Sequence, residues 1–429
     1  MKRLPFFIFC LIFPLQIFSQ SLGREEVSQD FMGISNLNRV NVLDVTHTNS
    51  ANVSISNATI TNATFTGSVV FPKNQMEGLG WATTNTGYQK GCTVDALGNL
   101  YIAGWSPGSV TGSKIIVYKS SDNGNNWNKI PVHGFINTVT ISAYTANLPP
   151  SIAVDSNQNI GIAFSAVDTV NPSCTNLQFL YYNNLTWSHQ SISSQTYYSM
   201  TNNLNHIIDL IVDASNVWHA AWAQENTGST SSNRLQYATR TSGDSETWSP
   251  TLNLDNANGA PTYISLLINS MNSPHIIFLA TAHTNIATNR SGSWTSRDYG
   301  TNLSQYSVVM DATGNIYIAG TATRYFVKFD ISNNWSKIYP SPYCLSGISC
   351  LLLESIYIHC IYITGTTTLQ DQSYNYITDI TTNDFETLVI PPATGYYFGF
   401  PDRYTATIPR IIVRTPDGRF KVMIPTGIN

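Results

Sequence analysis

The apolar positions along this chain come in short runs separated by turn-forming residues, and no run keeps a helical period. The clearest unit is Asp95-Ala-Leu-Gly-Asn-Leu-Tyr-Ile-Ala-Gly104, which returns as Asp311-Ala-Thr-Gly-Asn-Ile-Tyr-Ile-Ala-Gly320. Asp and Asn side chains bond their own backbone in tight turns, and Gly adopts the left-handed backbone such turns require. Leu100, Tyr101 and Ile102 then begin a strand of apolar and aromatic residues. The unit therefore predicts a hairpin with an Asp–Gly turn.

Related turns recur along the chain. Their markers are Asp95 with Gly98, Asp155 with Asn157, Asp213 with Asn216, Asn269 with Asn272, Asp311 with Gly314, a degraded copy at Glu354, and Asp417 with Gly418. Each precedes an apolar strand. A third strand often follows, and a fourth opens on an aromatic such as Trp127, Trp187, Trp248, Trp294 or Trp335. Four strands per unit at this spacing predict an all-β, seven-bladed β-propeller of four-stranded antiparallel blades over residues 75–429, with six blades as the alternative. The last unit is read as two strands, with an outer strand supplied from near Trp81 to close the ring.

Ahead of the propeller lie three other segments. Residues 1–20 have a charged start at Lys2 and Arg3 and an apolar run broken by Pro14, which reads as a signal peptide. Residues 21–45 form a linker. Residues 46–70 repeat every five residues, with Ile55, Ile60, Phe65 and Val70 as the large apolar positions. This arm resembles pentapeptide repeats and the stalk segments of phage and giant-virus fibres. The resemblance implies a short repetitive stalk able to associate with copies of itself.

Composition narrows the functions. Charged residues are 11% of the chain and the formal net charge is −4, without a basic cluster. Binding driven by phosphate neutralisation, and so a nucleic-acid partner, is excluded on that ground. No segment after the signal is long and apolar enough to predict a membrane span. The expected location is secreted, with a virion or cell surface as the alternative. Export permits disulfides, and Cys344 with Cys350 is the expected pair. Sequons stand at Asn52, Asn57, Asn62, Asn184, Asn289, Asn302 and Asn334.

Ser120-x-Asp122-x-Gly124-x-x-Trp127 resembles the Asp-box of sialidase-like propellers, with a degraded copy from Thr241 to Trp248. The opening decamer likewise resembles the Asp-x-x-Gly-Asn-x-Tyr repeats of bacterial propellers. In sialidases the Asp-box is structural. That resemblance also implies an arginine clamp for a carboxylate and an Arg-Ile-Pro motif. Here Thr407 precedes Ile408 and Pro409 where the arginine is expected. A clamp lacking one arginine grips a carboxylate less well, so no catalysis is expected.

The expected function is binding of a glycan or a protein. A sialidase-like glycoside hydrolase and an architectural fibre component are the alternatives. Candidate binding residues lie in loops opposite the Asp turns: Asp168, Glu225, Tyr396, Tyr397, Asp402 and Arg403. His219, His275 and His359 fall on second strands, read as out of register with one another and so as no ligand set. Neither a metal nor a cofactor is expected.

Overall fold

A computed structural model describes most strands and tight turns between residues 91 and 423, together with two short strands nearer the N-terminus. Residues 1–36, 39–54, 57–90, 106–114, 133–149, 168–173, 199–207, 225–233, 255–260, 321–324, 339–347, 390–396, 400–410, 415–419, 424–429 and some shorter stretches lie outside the described residues. The chain divides into two compact units, Met1–Asn74 and Gln75–Asn429. In the first, Leu37–Asn38 pairs in parallel with Ile55–Ser56. The remainder of the 46–70 arm lies outside the described residues, as does the signal segment.

The second unit is a β-propeller of antiparallel blades. Among the described residues it holds seven sheets in chain order and no helix. The first sheet runs Cys92–Val94, Leu100–Trp105, Ile115–Ser120 and Asn128–Ile130, each strand pairing with the next. The third, fourth and fifth sheets repeat this four-strand order. The second and sixth add a fifth short strand.

First strands pack beside one another from sheet to sheet, so they form the inner wall of the ring. Apolar cores fill the spaces between neighbouring sheets. Tyr101 and Val117 meet Ile152 and Ile162 between the first two. Phe179 meets Trp218 and Trp222 between the second and third. Leu267 and Ile277 meet Ile316 and Phe329 between the fourth and fifth. Strand residues therefore bury both faces, which is why the apolar runs are nearly continuous rather than strictly alternating.

A side-chain staple joins the inner strands. Leu210 N donates to Ser151 Oγ (2.9 Å), Leu266 N donates to Asp209 Oδ2 (2.7 Å), and Leu351 N donates to Ser307 Oγ (3.0 Å). Ser151, Asp209 and Ser307 each stand four residues before their sheet's turn aspartate. Each accepts from the next sheet. Ser151 Oγ also donates to Asp209 Oδ1 (3.1 Å), so the buried carboxylate spans three sheets.

The last sheet departs from the sequence reading. It has three strands, Tyr397–Gly399, Ile411–Arg414 and Phe420–Met423, in that order. Tyr397–Gly399, expected in a loop, pairs antiparallel with Ile411–Arg414. Tyr-Phe-Gly supplies two aromatics of high strand preference, and the edge of the neighbouring strand supplies the bonds.

Candidate functional site

The turns that join first and second strands converge on one end of the ring. Ala96, Asp155, Ser156, Asp213, Ala214, Asn269, Ser270, Asp311 and Ala312 enclose a cavity of about 410 Å³ with Val154, Val212, Ile268 and Met310. These positions repeat by rule. An apolar residue precedes each turn aspartate or asparagine, and Ala or Ser follows it.

Each turn is closed by its own side chain. Asp95 Oδ1 accepts from Leu97 N and Asn99 N, both at 2.9 Å. Its Oδ2 accepts from Asn99 Nδ2 (2.7 Å) and from Tyr101 Oη (2.9 Å). Asp311 repeats the set with Thr313 N, Asn315 N, Asn315 Nδ2 and Tyr317 Oη. The left-handed residue falls three places after the aspartate, at Gly98 (φ 82°) and Gly314 (φ 89°). In the second sheet that residue is Gln158 (φ 64°), not Asn157 as the sequence suggested.

The position six residues after the turn aspartate varies in an informative way. Tyr101 and Tyr317 hold it in the first and fifth sheets. Burial raises both phenol pKa values, and the aspartate each one bonds adds to the rise. Both therefore remain donors.

In the third and fourth sheets His219 and His275 take the same place. Each stands opposite the residue two places before its turn, Ile211 and Leu267 respectively. The two histidines thus share a register, contrary to the sequence reading. Aligning the sequence on the turn aspartates alone would have shown it. His359 pairs with Leu352 and Ser373 in the sixth sheet.

The two imidazoles differ in partners. His219 Nε2 lies 3.3 Å from Asp213 Oδ2, and its Nδ1 contacts Tyr237 Oη. Burial lowers the His219 pKa, opposed by Asp213. A neutral ring donating to Asp213 and accepting from Tyr237 satisfies all three groups. His275 is fully buried, accepts from or donates to Thr288 Oγ1 at 2.7 Å, and its Nε2 has no partner. Its turn residue is the uncharged Asn269. Burial, and then the charge of Arg290, push the His275 pKa down to about 3.

The second sheet has Gly161 at this place. A Cβ there would collide with Trp218 Cζ3 and stand 2.9 Å from Phe179 Cε2. The Trp218 ring of the third sheet thus occupies the space that Tyr fills elsewhere. Its Nε1 donates to Ser242 Oγ (2.8 Å), and Ser242 Oγ donates to Asp155 Oδ2 (2.9 Å). A neighbouring sheet so replaces the missing phenol.

Turns also bond to one another. Ser156 N and Oγ donate to Asn216 Oδ1, at 3.0 and 2.9 Å. Asn272 Nδ2 donates to Ser215 Oγ at 2.8 Å. Arg240 is buried over Phe179 and Tyr181 and donates to Gln190 Oε1 and to the carbonyls of Thr241, Gly243 and Glu246. Arg290 donates to the carbonyls of Asp330 and Gly314, both at 2.6 Å. Arg240 thus ties its own turn to the outer strand of the second sheet, and Arg290 ties the fourth sheet to two turns of the fifth.

The chemistry of this end follows. Its carboxylates are buried and consumed by donors from their own turns, and its histidines are held neutral inside the sheets. Among the described residues, the mouth presents aliphatic carbon and small hydroxyls. Among the described residues, no three His, Cys, Asp or Glu side chains are grouped to hold a metal ion.

The Ser120–Trp127 turn is closed in a related way. Ser120 Oγ donates to Asp122 Oδ1 (2.8 Å) and accepts from Gly124 N (2.8 Å), and Asp122 Oδ1 accepts from Asn126 N (2.8 Å). Gly124 is left-handed (φ 85°) and Trp127 follows, partly buried. At the sequons, Asn184 Nδ2 donates to Asn157 O and Asn334 Nδ2 to Asp330 Oδ2, while Asn289 Oδ1 is buried. Asn52, Asn57, Asn62 and Asn302 lie outside the described residues.

Most of the sequence-predicted binding residues also lie outside them: Asp168, Glu225, Tyr396, Asp402 and Arg403. Asp168 and Glu225 each follow the last residue of a second strand, Val167 and Gln224, at the end away from the Asp turns. Tyr397 stands opposite Arg414 in the last sheet. Cys350 stands opposite Ile361, and Cys344 lies outside the described residues. No described helix is long and apolar enough to cross a membrane.

No family model matches the chain, and no curated protein does either. Solved structures do. A polysaccharide lyase of family PL25, an ulvan lyase bound to -[GlcA(1-4)Rha3S]-, aligns with TM-score 0.52 and 11% identity over 81% of this chain and 94% of its own. A second PL25 ulvan lyase structure aligns with TM-score 0.51 and 11% identity over 81% of this chain and 93% of its own. A Hadza microbial sialidase, Hz136, aligns with TM-score 0.44 and 10% identity over 78% of this chain, which spans 64% of that sialidase's length. Identities this low speak to the fold alone.

Proposed function

We propose that this chain is an exported seven-bladed propeller that binds a glycan, or failing that a protein, at the end opposite the Asp turns. One observation carries the reading. The described first-to-second turns are short, and the Asp or Asn that opens each accepts from its own turn's backbone. The second-to-third connections of the first three sheets, 106–114, 168–173 and 225–233, are longer, and two of them carry Asp168 and Glu225. Asp402, Arg403, Tyr396 and Tyr397 belong to the same proposal, as an aromatic and charged set suited to a sugar face.

The supporting parts follow the same logic. Residues 1–20 are the export signal and 46–70 the stalk, through which copies associate. Ser120–Trp127 is the Asp-box, supported by the Ser120, Asp122 and Gly124 bonds. Seven sheets in succession support seven blades. Cys344 with Cys350 is the proposed disulfide.

The alternative is an enzyme acting on a glycan. Two structures that align with TM-scores above 0.5 are ulvan lyases, which makes uronic-acid polysaccharides the first substrates to try. The test is a glycan-array screen of the purified protein, with lyase, sialidase and glycosidase assays on the same sample. Glycan binding without turnover supports the proposal. Turnover that disappears on Asp168→Asn or Glu225→Gln replaces it with the enzyme reading. Silence on the array and in every assay removes the glycan.

A further inference from the structure

In an antiparallel blade, third strands begin and fourth strands end opposite the first-to-second turns. In the fourth sheet the residues at that end are His283, first in its strand, and Asp298, last in its own. Asp298 stands opposite Asn285, and side chains two apart in a strand share a face, so His283 and Asp298 project from the same face of the sheet. His283 Nδ1 lies 2.8 Å from Asp298 Oδ2. The two side chains are 44% and 38% exposed. The connection ahead of His283 is two residues long, 281–282, against nine, six and nine in the first three sheets.

Both members are held from behind. Asp298 Oδ1 accepts from Gly300 N (2.6 Å), and Gly300 is left-handed (φ 74°). Tyr299 N donates to Thr284 O, Thr284 N donates to Thr301 O, and Leu303 N donates to Thr284 Oγ1, at 2.9, 3.0 and 3.0 Å. Thr284 and Leu303 are fully buried. Asn285 Nδ2 donates to the carbonyl of His283 (3.0 Å). The pair therefore stands on bonded strand ends rather than on a free loop. An ionised carboxylate only accepts, so the proton between the two side chains belongs to His283 Nδ1, and Nε2 of the neutral ring is an acceptor. Nε2 makes no hydrogen bond with the described residues, and the ring is open to solvent. His219 and His275, by contrast, are buried inside their sheets.

We propose that His283 is a ligand contact of the glycan site, its Nε2 accepting a hydrogen bond from a sugar hydroxyl, and that Asp298 is its positioning residue. The inference rests on the glycan reading above and gives that site a contact outside the long connections. A sugar hydroxyl can donate or accept, and a lone pair held in one direction selects the donating arrangement. Asp298 places its oxygens on the ring and on Gly300 N, so it supplies orientation. Arg297, its neighbour in the strand, projects from the opposite face and takes no part in the contact.

The test is a glycan array titrated in parallel with the full wild-type protein, His283→Phe, His283→Gln and Asp298→Asn at neutral pH, with thermal midpoints measured on the same samples. His283→Phe is expected to weaken the glycans that wild type binds by about five- to tenfold, the scale of one hydrogen bond. His283→Gln keeps an acceptor and is expected to lose less. Asp298→Asn no longer fixes the tautomer and is expected to weaken binding at an unchanged midpoint. In wild type carrying isotopically labelled histidine, the His283 Nε2 resonance is expected to move when a glycan bound on the array is added, and Nδ1 to move less. Equal binding by wild type and His283→Phe overturns the contact and leaves the glycan reading standing. An Nε2 resonance that stays in place under saturating glycan overturns it even where the variants fold poorly. A wild type silent on the array removes the glycan reading and this contact together.

Discussion

Protonation of His275 is expected to be the steepest single acid liability of the propeller. The imidazole is fully buried between Leu267 and Thr288 in the fourth sheet, its Nε2 has no acceptor, and its turn partner is Asn269 rather than an aspartate. Burial and Arg290 lower its pKa from 6.5 to about 3. A histidine with a depressed folded pKa stays neutral while the unfolded chain takes up a proton. Stability from this group is therefore complete above pH ~6.5 and is lost progressively as pH falls toward ~3. At about 1.36 kcal/mol per pH unit, the loss from pH ~6.5 to ~5 is about 2 kcal/mol. Urea unfolding at pH 7 and pH 5, for wild type and His275→Gln, measures it. The variant should lose about 2 kcal/mol less than wild type over that interval, whatever its stability at pH 7. Parallel pH profiles would refute the reasoning, since other histidines, including His189 and His219, titrate in both proteins.

Other substitutions probe the turn ring. Tyr101→Phe and Tyr317→Phe each remove a buried donor to a carboxylate and should cost about 1.5–3 kcal/mol in chemical denaturation. A loss below about 0.5 kcal/mol would mean the carboxylates do not need the phenol. Gly161→Ala should destabilise by about 1–3 kcal/mol, because the new methyl meets the Trp218 ring and not a flexible chain end. Combining it with Trp218→Leu should recover part of that loss in thermal melts, and strictly additive costs would contradict the shared space.

The sequence by itself determined the turns. An Asp followed by residues able to bend back, with Gly or Asn three places on, closes through its own carboxylate, so Asp95 and Asp311 were readable from local chemistry. The four-strand rhythm, and with it the propeller, was readable for the same reason. The shared register of His219 and His275 was also present in the spacing, but it becomes meaningful only when Tyr101 and Tyr317 are seen donating to the turn aspartate. The strand at Tyr397–Gly399 was not readable, because it is three residues long and its pairing partner, Ile411–Arg414, is not joined to it by a tight turn. What only the tertiary structure decided are the exchanges between sheets. Gly161 looks like a gap until Trp218 fills it and Ser242 completes Asp155. Asp209 looks like a misplaced charge until Ser151 and Leu266 satisfy it. Ala96, Asp155, Asp213, Asn269 and Asp311, far apart in sequence, share one cavity because packing successive sheets side by side brings the same turn position of each together. Local hydrogen bonding fixes each turn, whereas the partners across sheets are set by which neighbour the packing presents.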